Sequence, residues 1–368
     1  MSDGAAAQPA AHPPLAVRLG GVDAVLETAD TAFAEFAELH LAPLRIALTD
    51  TPRVRAVLRW HEGAPPERLT ARPGLGAMDR VDRDVYRADG ELAWFRIDEL
   101  PDLQLRVHWN GADLRVEGDY YHRLSKTWRR DRMTRLLHRR RLPQLRRRRF
   151  TTLLYYLLYY PCFWWLERHG WHPIHAGGVE LPSGIAVFAG PSGVGKSTIV
   201  TGLATTPAGR LLSDTFLVHR GAEVRAVCEP LLLDDRSRAW LGAEAQLLQH
   251  VPHRYCLGRE GYHLPAHHLS CGGRARVLLF PHRAMSHDVR ELSPEHARGR
   301  LRAGDLIVND LRRYWAFAAV LELLDPHPLV SAREASLAQL VSAVRVFELG
   351  LAGDFTRDQI AELVQSLM

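Results

Sequence analysis

Cysteine is scarce and irregularly spaced: Cys162, Cys228, Cys256 and Cys271 are the four in 368 residues, which excludes a disulfide framework. No C-x-x-C pair occurs among them, so the usual two-pair zinc pattern is missing as well. The longest apolar stretch, TTLLYYLLYYPCFWWL at residues 151–166, is shorter than a bilayer-spanning helix needs and is interrupted by Pro161. The N-terminal MSDGAAAQPAAHPP has neither the basic start nor the apolar run of a signal peptide, and residues 1–14 read as a flexible leader. Together these absences make a reducing cytoplasm the expected compartment.

Acid is what residues 129–149 lack. Eleven arginines stand there against the single Asp131, and they concentrate the net charge of +5. Such a block could attract nucleic acid, anionic lipid or an acidic peptide. Aromatic residues follow the block without interleaving with it, so no stacking platform for a single strand is present and nucleic acid is disfavoured. The segment 123–150 reads as a solvated connector with an acidic partner as its candidate ligand. The apolar stretch after it reads as a buried helix rather than as a membrane-surface element.

What the chain does contain is enough apolar residue, 46%, to bury two or three domain cores. Residues 15–122 alternate in the manner of strands (VRLGGVDAVLET, VRAVLRW, DVYRADGELAWFRI, LQLRVHWNGADLRVEGDYY), with hairpin turns at Ala88-Asp89-Gly90 and Asn110-Gly111. With the helical pattern TAFAEFAELHL between strands, this predicts a β-rich α+β domain, a candidate for substrate recognition. Residues 151–368 predict an α/β domain. IHAGGVELPSGIAVFAG reads as two strands joined at Pro182-Ser183-Gly184, and GRLLSDTFLVHRGAEVRAVCEP as a strand followed by a hairpin through Arg220-Gly221. LRRYWAFAAVLELL has the pattern of an amphipathic core helix.

Residues 190–197 match G-x-x-x-x-G-K-[ST] in full: Gly190, Pro191, Ser192, Gly193, Val194, Gly195, Lys196 and Ser197. A strand (IAVFA) precedes this run and a helical pattern beginning at Ser197-Thr198 follows, the context a phosphate-binding loop requires. The glycines let backbone N–H groups converge on a polyphosphate at a helix N-terminus. Lys196 would reach the β- and γ-phosphates, and the Ser197 hydroxyl would ligate Mg²⁺. Asp214 comes 18 residues after Lys196, room for one helix, a turn and the neighbouring strand, which puts its carboxylate beside the loop as metal partner or proton acceptor. His175 precedes the first strand.

The run IHAGGV, GPSGVGKST and LLSDTFLVHRG resembles the HPr kinase/phosphorylase family and its bacterial relatives, including kinases of lasso-peptide and other ribosomal-peptide gene clusters. The resemblance covers roughly residues 150–368, is specific between His175 and Val218, and fades beyond Pro230. It implies an HPr-kinase-type P-loop domain that uses ATP, or GTP, with Mg²⁺, and transfers the γ-phosphate to a serine of a protein or ribosomal peptide. It further implies His175, Lys196 and Asp214 as catalytic residues, Ser197 and Asp214 as metal ligands, and an oligomer as an open possibility. Thr215 stands where the family has a second Asp, and Asp234-Asp235, twenty residues further on, read as loop or helix-cap residues. The family's distal arginine loop has no match, so phosphorolysis is not implied. A small-molecule kinase acting on a hydroxy amino acid or sugar, and a nucleotide-binding regulator touching nucleic acid through the arginine block, are the alternatives.

The stretch QHVPHRYCLGREGYHLPAHHLSCGG gathers His250, His253, Cys256, His263, His267, His268 and Cys271. These residues are zinc-capable but lack a paired pattern, and the stretch reads as a polar loop that closes over substrate.

Overall fold

The computed structural model describes residues 12–63, 75–97, 99–124, 133, 136, 142–191, 193–256, 258–352 and 355–368, with the backbone alone at residues 75, 143, 144, 148 and 252–256. It is a mixed α/β protein. Two units are present, one comprising residues up to Val17, 23–39 and 46–161, the other residues 18–22, 40–45 and 162–368.

The alternating segments, in the first unit except for residues 18, 19 and 22, become β1 (Leu15–Leu19), β2 (Val22–Thr28), β3 (Val54–Glu62), β4 (Asp79–Asp82), β5 (Val85–Ala88), β6 (Glu91–Trp94), β7 (Leu103–Trp109) and β8 (Leu114–His122). They form one sheet in the order β1-β2-β3-β8-β7-β6-β5-β4. From β8 to β4 it is an antiparallel meander whose turns fall where Asn, Asp and Gly tolerate unusual dihedrals. Asn110 Oδ1 accepts from the N–H groups of Ala112 and Asp113, and Gly111 has φ +90°.

The other half differs from a chain of hairpins: β2, β3 and β8 run parallel, and α1 (Thr31–His40) makes the crossover from β2 to β3. The helix α2 (Leu142–Leu154) drives Phe150 between Phe33, Phe36 and Trp60, with ring centroids 5.3–5.5 Å apart. Gly118 on β8 accommodates the helical segment that follows, since a Cβ there would meet Leu157 at 2.7 Å.

Pro161 does not break the apolar helix. The chain passes from α2 through a π turn, Tyr155–Tyr159, into α3 (Tyr160–Arg168), and the Tyr160 N–H bonds back five residues to the Tyr155 carbonyl. The wider turn takes up the irregularity that proline's missing N–H and ring would impose on a regular helix. Tyr155 to Tyr160, Phe163 and Trp164 are all buried, so this aromatic run is protein core. No described helix is long and apolar enough to cross a membrane.

The second unit contains β9 (His172–Ile174), β10 (Ala176–Leu181), β11 (Gly184–Ala189), α4 (Lys196–Ala204), β12 (Arg210–Ser213), β13 (Phe216–Arg220), β14 (Glu223–Val227), β15 (Leu231–Leu233) and α5 (Asp235–Leu241). After them come β16 (Gln249–Cys256), β17 (Arg259–His263), β18 (Gly272–Arg283), β19 (Asp288–Glu291), α6 (Pro294–Ile307), α7 (Asn309–Leu321), α8 (Leu329–Ala343), β20 (Arg345–Leu351) and α9 (Arg357–Leu367). β11, β18 and β20 pair in parallel, with β10 and β12 antiparallel beyond β11.

Helices cover both faces of this central sheet. Ala186 and Phe188 of β11 pack with Ile199, Val200 and Leu203 of α4 and Ile360 and Val364 of α9. On the opposite face Ile185, Val187 and Ala189 pack with Ala297 and Leu301 of α6 and Leu337, Leu340 and Val341 of α8. A strand buried on both faces ends in the glycine loop, which therefore leaves a rigid support. The histidine-rich stretch is ordered differently from the expected loop: β16 and β17 pair as antiparallel strands and β15 joins them in a small sheet.

Candidate functional site

The loop between β11 and α4 bends through three glycines with positive φ: Gly190 at +138°, Gly193 at +87° and Gly195 at +95°. A Cβ at Gly193 or Gly195 would touch nothing within 4 Å, so dihedral freedom and not crowding calls for glycine there. Gly195 is the N-cap of α4 and supplies no side chain to its first N–H groups, whereas α5, α6 and α9 are capped by Asp234, Ser293 and Thr356. An uncapped helix start with its positive dipole end open favours an anion. Ser192 lies outside the described residues; Val194, Ser197 and Thr198 are half-buried around the loop.

Lys196 folds back over this loop. Its Nζ donates to the carbonyl oxygens of Gly190 at 2.7 Å and Pro191 at 2.9 Å. Burial pulls its ammonium down to about 8, with the charge of Asp214 working in the opposite direction. The chain has only two lysines, Lys126 and Lys196, among 47 basic residues. Keeping the compact ammonium where arginine is used nearly everywhere else marks this position, a signal carried by the composition and not by the motif.

Asp214 follows β12 directly and is buried. The carboxyl accepts hydrogen bonds from the hydroxyls of Ser197 and Thr215, the latter at 3.0 Å. Burial raises its affinity for a proton, while those two hydroxyls and the Lys196 charge oppose the rise. The loop serine, the loop lysine and the strand-end acid are thus brought together. A hydroxyl beside a carboxylate is a hard oxygen donor set of the kind Mg²⁺ takes, and the two residues fit that ion.

His175 occupies the bend between β9 and β10. Its ring nitrogens have no hydrogen-bond partner among the described residues, and its ring meets Phe216 edge-on with centroids 5.7 Å apart. Burial, and then repulsion from Lys196, pushes the imidazole down to about 3, so it is neutral at physiological pH.

Two further acids belong to this neighbourhood and carry no sequence motif. Asp305 on α6 is buried and accepts the His175 backbone N–H at 3.0 Å through Oδ1, while Oδ2 pairs with Arg333 of α8. Glu229, also buried, acts with Asp214 on the Cys228 thiol, which burial foremost pushes up to about 12. On the other side of α4, Thr198 and Ser237 of α5 share a hydroxyl contact of 2.9 Å. Asp234 caps α5 by accepting the Ser237 N–H, and Asp235 is exposed on its first turn.

The remaining candidates lie apart. His263 bonds the His40 carbonyl at 3.1 Å and His268 the Ala204 carbonyl at 2.9 Å, both as packing contacts. The side chains of His253 and Cys256 lie outside the described residues, and no group of three His, Cys, Asp or Glu suited to a metal occurs among the described ones. Much of the arginine block, residues 129–132, 134–135 and 137–141, is likewise outside them. Arg146 of that block is held within the first unit, paired with Asp30 at 2.6 Å and stacked over Trp60. A cavity of about 650 Å³ in the same unit is lined by the end of β2, by β3 and by His12–Pro14, and its charges are internally paired, Glu27 with Arg55 and Arg59 with Asp119.

Compared with known protein families and with curated protein sequences, the chain matches none.

Proposed function

We propose that the protein is a Mg²⁺-dependent kinase of HPr-kinase type that transfers the γ-phosphate of ATP, with GTP as the alternative donor, to the hydroxyl of a serine on a protein or peptide. One observation carries the reading: a buried acid, a buried lysine and a neutral histidine converge on a glycine loop at an uncapped helix start. The resemblance of residues 175–218 to the HPr kinase family supports the same reading, including the acceptor class.

In this mechanism the N–H groups of the loop and of the first turn of α4 cradle the phosphates, and Lys196 neutralises charge at the β- and γ-positions. Ser197 and Asp214 would hold Mg²⁺, which would supply positive charge to the phosphate oxygens. The acceptor oxygen forms its bond to the γ-phosphorus as the bond to the β–γ bridging oxygen breaks. Asp214 takes the acceptor's proton, for which its raised proton affinity suits it. Neutral His175 orients the transferring group as a hydrogen-bond partner without competing with Lys196 for charge.

A second reading has one observation in its favour. Thr215, in the place of a second acid, donates its hydroxyl to Asp214 Oδ1 and so occupies part of the carboxylate a base would use. A nucleotide-binding regulator would tolerate that arrangement. The separating experiment is transfer of γ-labelled phosphate from ATP with Mg²⁺ into a size-fractionated lysate, comparing the wild type with Asp214→Asn. Label in the macromolecular or peptide fraction with the wild type alone supports the kinase. Label among small molecules makes the acceptor a metabolite, and tight nucleotide binding without transfer makes the protein a regulator.

A further inference from the structure

The His175 bend is anchored from outside the nucleotide loop. Asp305 comes from α6, 130 residues later in the chain, and its carboxylate accepts the His175 N–H at 3.0 Å. The same carboxylate pairs with Arg333 of α8, whose guanidinium lies 4.1 Å from the centre of the Trp315 ring. Asp305 is 1% exposed and Arg333 8%. A buried ion pair is a weak device for stability, because two well-packed apolar side chains of similar volume often do as well or better. What an apolar pair could not do is accept the N–H of the residue at the bend.

That residue has an unusual need for being held. Its ring nitrogens bond to nothing among the described residues, and the edge-on contact with Phe216 limits its rotation without fixing its height. Strand pairing fixes the neighbours, Ile174 with Leu217 and Ala176 with Ala189, and the Asp305 carboxylate is the polar contact at His175 itself.

We propose that Asp305, backed by Arg333, is a positioning residue for His175: it fixes the β9–β10 bend so that the imidazole faces the phosphate loop at the distance the transfer requires. The proposal rests on the kinase reading for its catalytic consequence, though not for its geometry. The two helices that carry the pair, α6 and α8, pack together on the sheet face opposite α4. The site is thus braced from both faces of the sheet.

The test uses the full chain and three changes. Asp305→Ala removes the acceptor; Asp305→Leu combined with Arg333→Met replaces the pair by apolar side chains and guards against a variant that merely unfolds; His175→Ala removes the group being positioned. Each is measured for kcat, KM for ATP and thermal midpoint, together with the NMR signals of the His175 ring and amide. Displacement of a catalytic group costs roughly tenfold to a hundredfold in rate. The expected result is such a loss of kcat in both Asp305 variants, unchanged KM for ATP, a thermal midpoint preserved in the apolar pair, and no further loss when His175→Ala is added. The His175 amide should lose its hydrogen-bonded shift and its ring signals should move. Full kcat in the apolar-pair variant, or losses that multiply with His175→Ala, would overturn the proposal. Should the wild type transfer no phosphate, the kinase reading fails while the His175 signals still decide the positioning: unmoved signals in the apolar-pair variant reject it.

Discussion

The ammonium of Lys196 donates to the carbonyl oxygen of Gly190 at 2.7 Å, so the lysine of the phosphate loop is satisfied by the loop itself. Under the proposed function, a bound polyphosphate would take over that role. On that reading nucleotide should bind the folded chain only, and raise its stability by about 2.7 kcal/mol at a hundred times Kd. Thermal unfolding with and without Mg²⁺-ATP measures this. Lys196→Met should abolish the rise while leaving the nucleotide-free protein as stable as the wild type or more so, because an ammonium whose charge burial disfavours is removed. A midpoint that rises equally in Lys196→Met would remove the lysine from the site.

Gly195 makes a different prediction, because only its dihedral angle opposes a side chain. With φ at +95° and open space where a methyl group would go, Gly195→Ala should fold and cost about 1–2 kcal/mol in strain. If the loop relaxes to relieve that strain, the N–H groups at the start of α4 turn away and ATP affinity falls more than tenfold, as titration calorimetry would record. Gly299, on the exposed side of α6 with a helical φ and nothing near it, is the control: alanine there should stabilise by a few tenths of a kcal/mol up to about 1 and leave binding alone.

Asp214 is where function and stability should part company. Its carboxylate is buried, and burial favours its protonated form. Asp214→Asn keeps the volume and keeps an acceptor for Ser197 and Thr215, so the thermal midpoint should hold or rise. Phosphate transfer should drop by about 10²–10⁴, the range associated with losing a general base. A midpoint that falls with activity would mean that the acid is structural.

The parts of this site that neighbours in sequence specify were legible: the glycine spacing, the strand that enters the loop, the helix that leaves it, and an acid one strand further on. Turn chemistry was equally local, as at Asn110-Gly111, where the side chain closes the turn it predicts. What escaped were pairings between distant segments. Nothing within TAFAEFAELH says that β2 and β3 will lie parallel, and nothing in GRLRAGDLI says that Asp305 will meet a backbone N–H 130 residues earlier. The histidine-rich stretch departs from expectation for a related reason. Its polar side chains suggest a loop, whereas Val251, Tyr262 and Leu264 are buried, and Tyr262 and Leu264 share a core with Leu231, Leu233 and Leu241 that draws the stretch into a sheet. Pro161 is the opposite case, a local rule overridden because a π turn relieves the constraint that the rule assumes.

His175 and His219 are both held neutral by burial, each pushed down to about 3. For a base whose folded value is depressed, the unfolded chain takes up the proton first. Below about pH 6.5 the unfolded state binds more protons than the native state, so stability falls as pH falls, and continues to fall until about pH 3, where the native histidines charge. Above about pH 7.5 neither histidine contributes any slope. The thermal midpoint should therefore drop steadily between pH 6.5 and 4 in the wild type. His175→Asn should flatten part of that slope, His219→Asn another part, and the double variant should flatten most of it. His175 lies beside Lys196, so restoring charge to the imidazole also sets two cations against each other at the loop; nucleotide phosphates would offset that repulsion. Saturating ATP should accordingly reduce the acid sensitivity of the wild type and leave that of His175→Asn unchanged. If the slope is the same in all variants, the acid sensitivity belongs to the carboxylates, and the two rings are not the buried neutral bases that their surroundings make them.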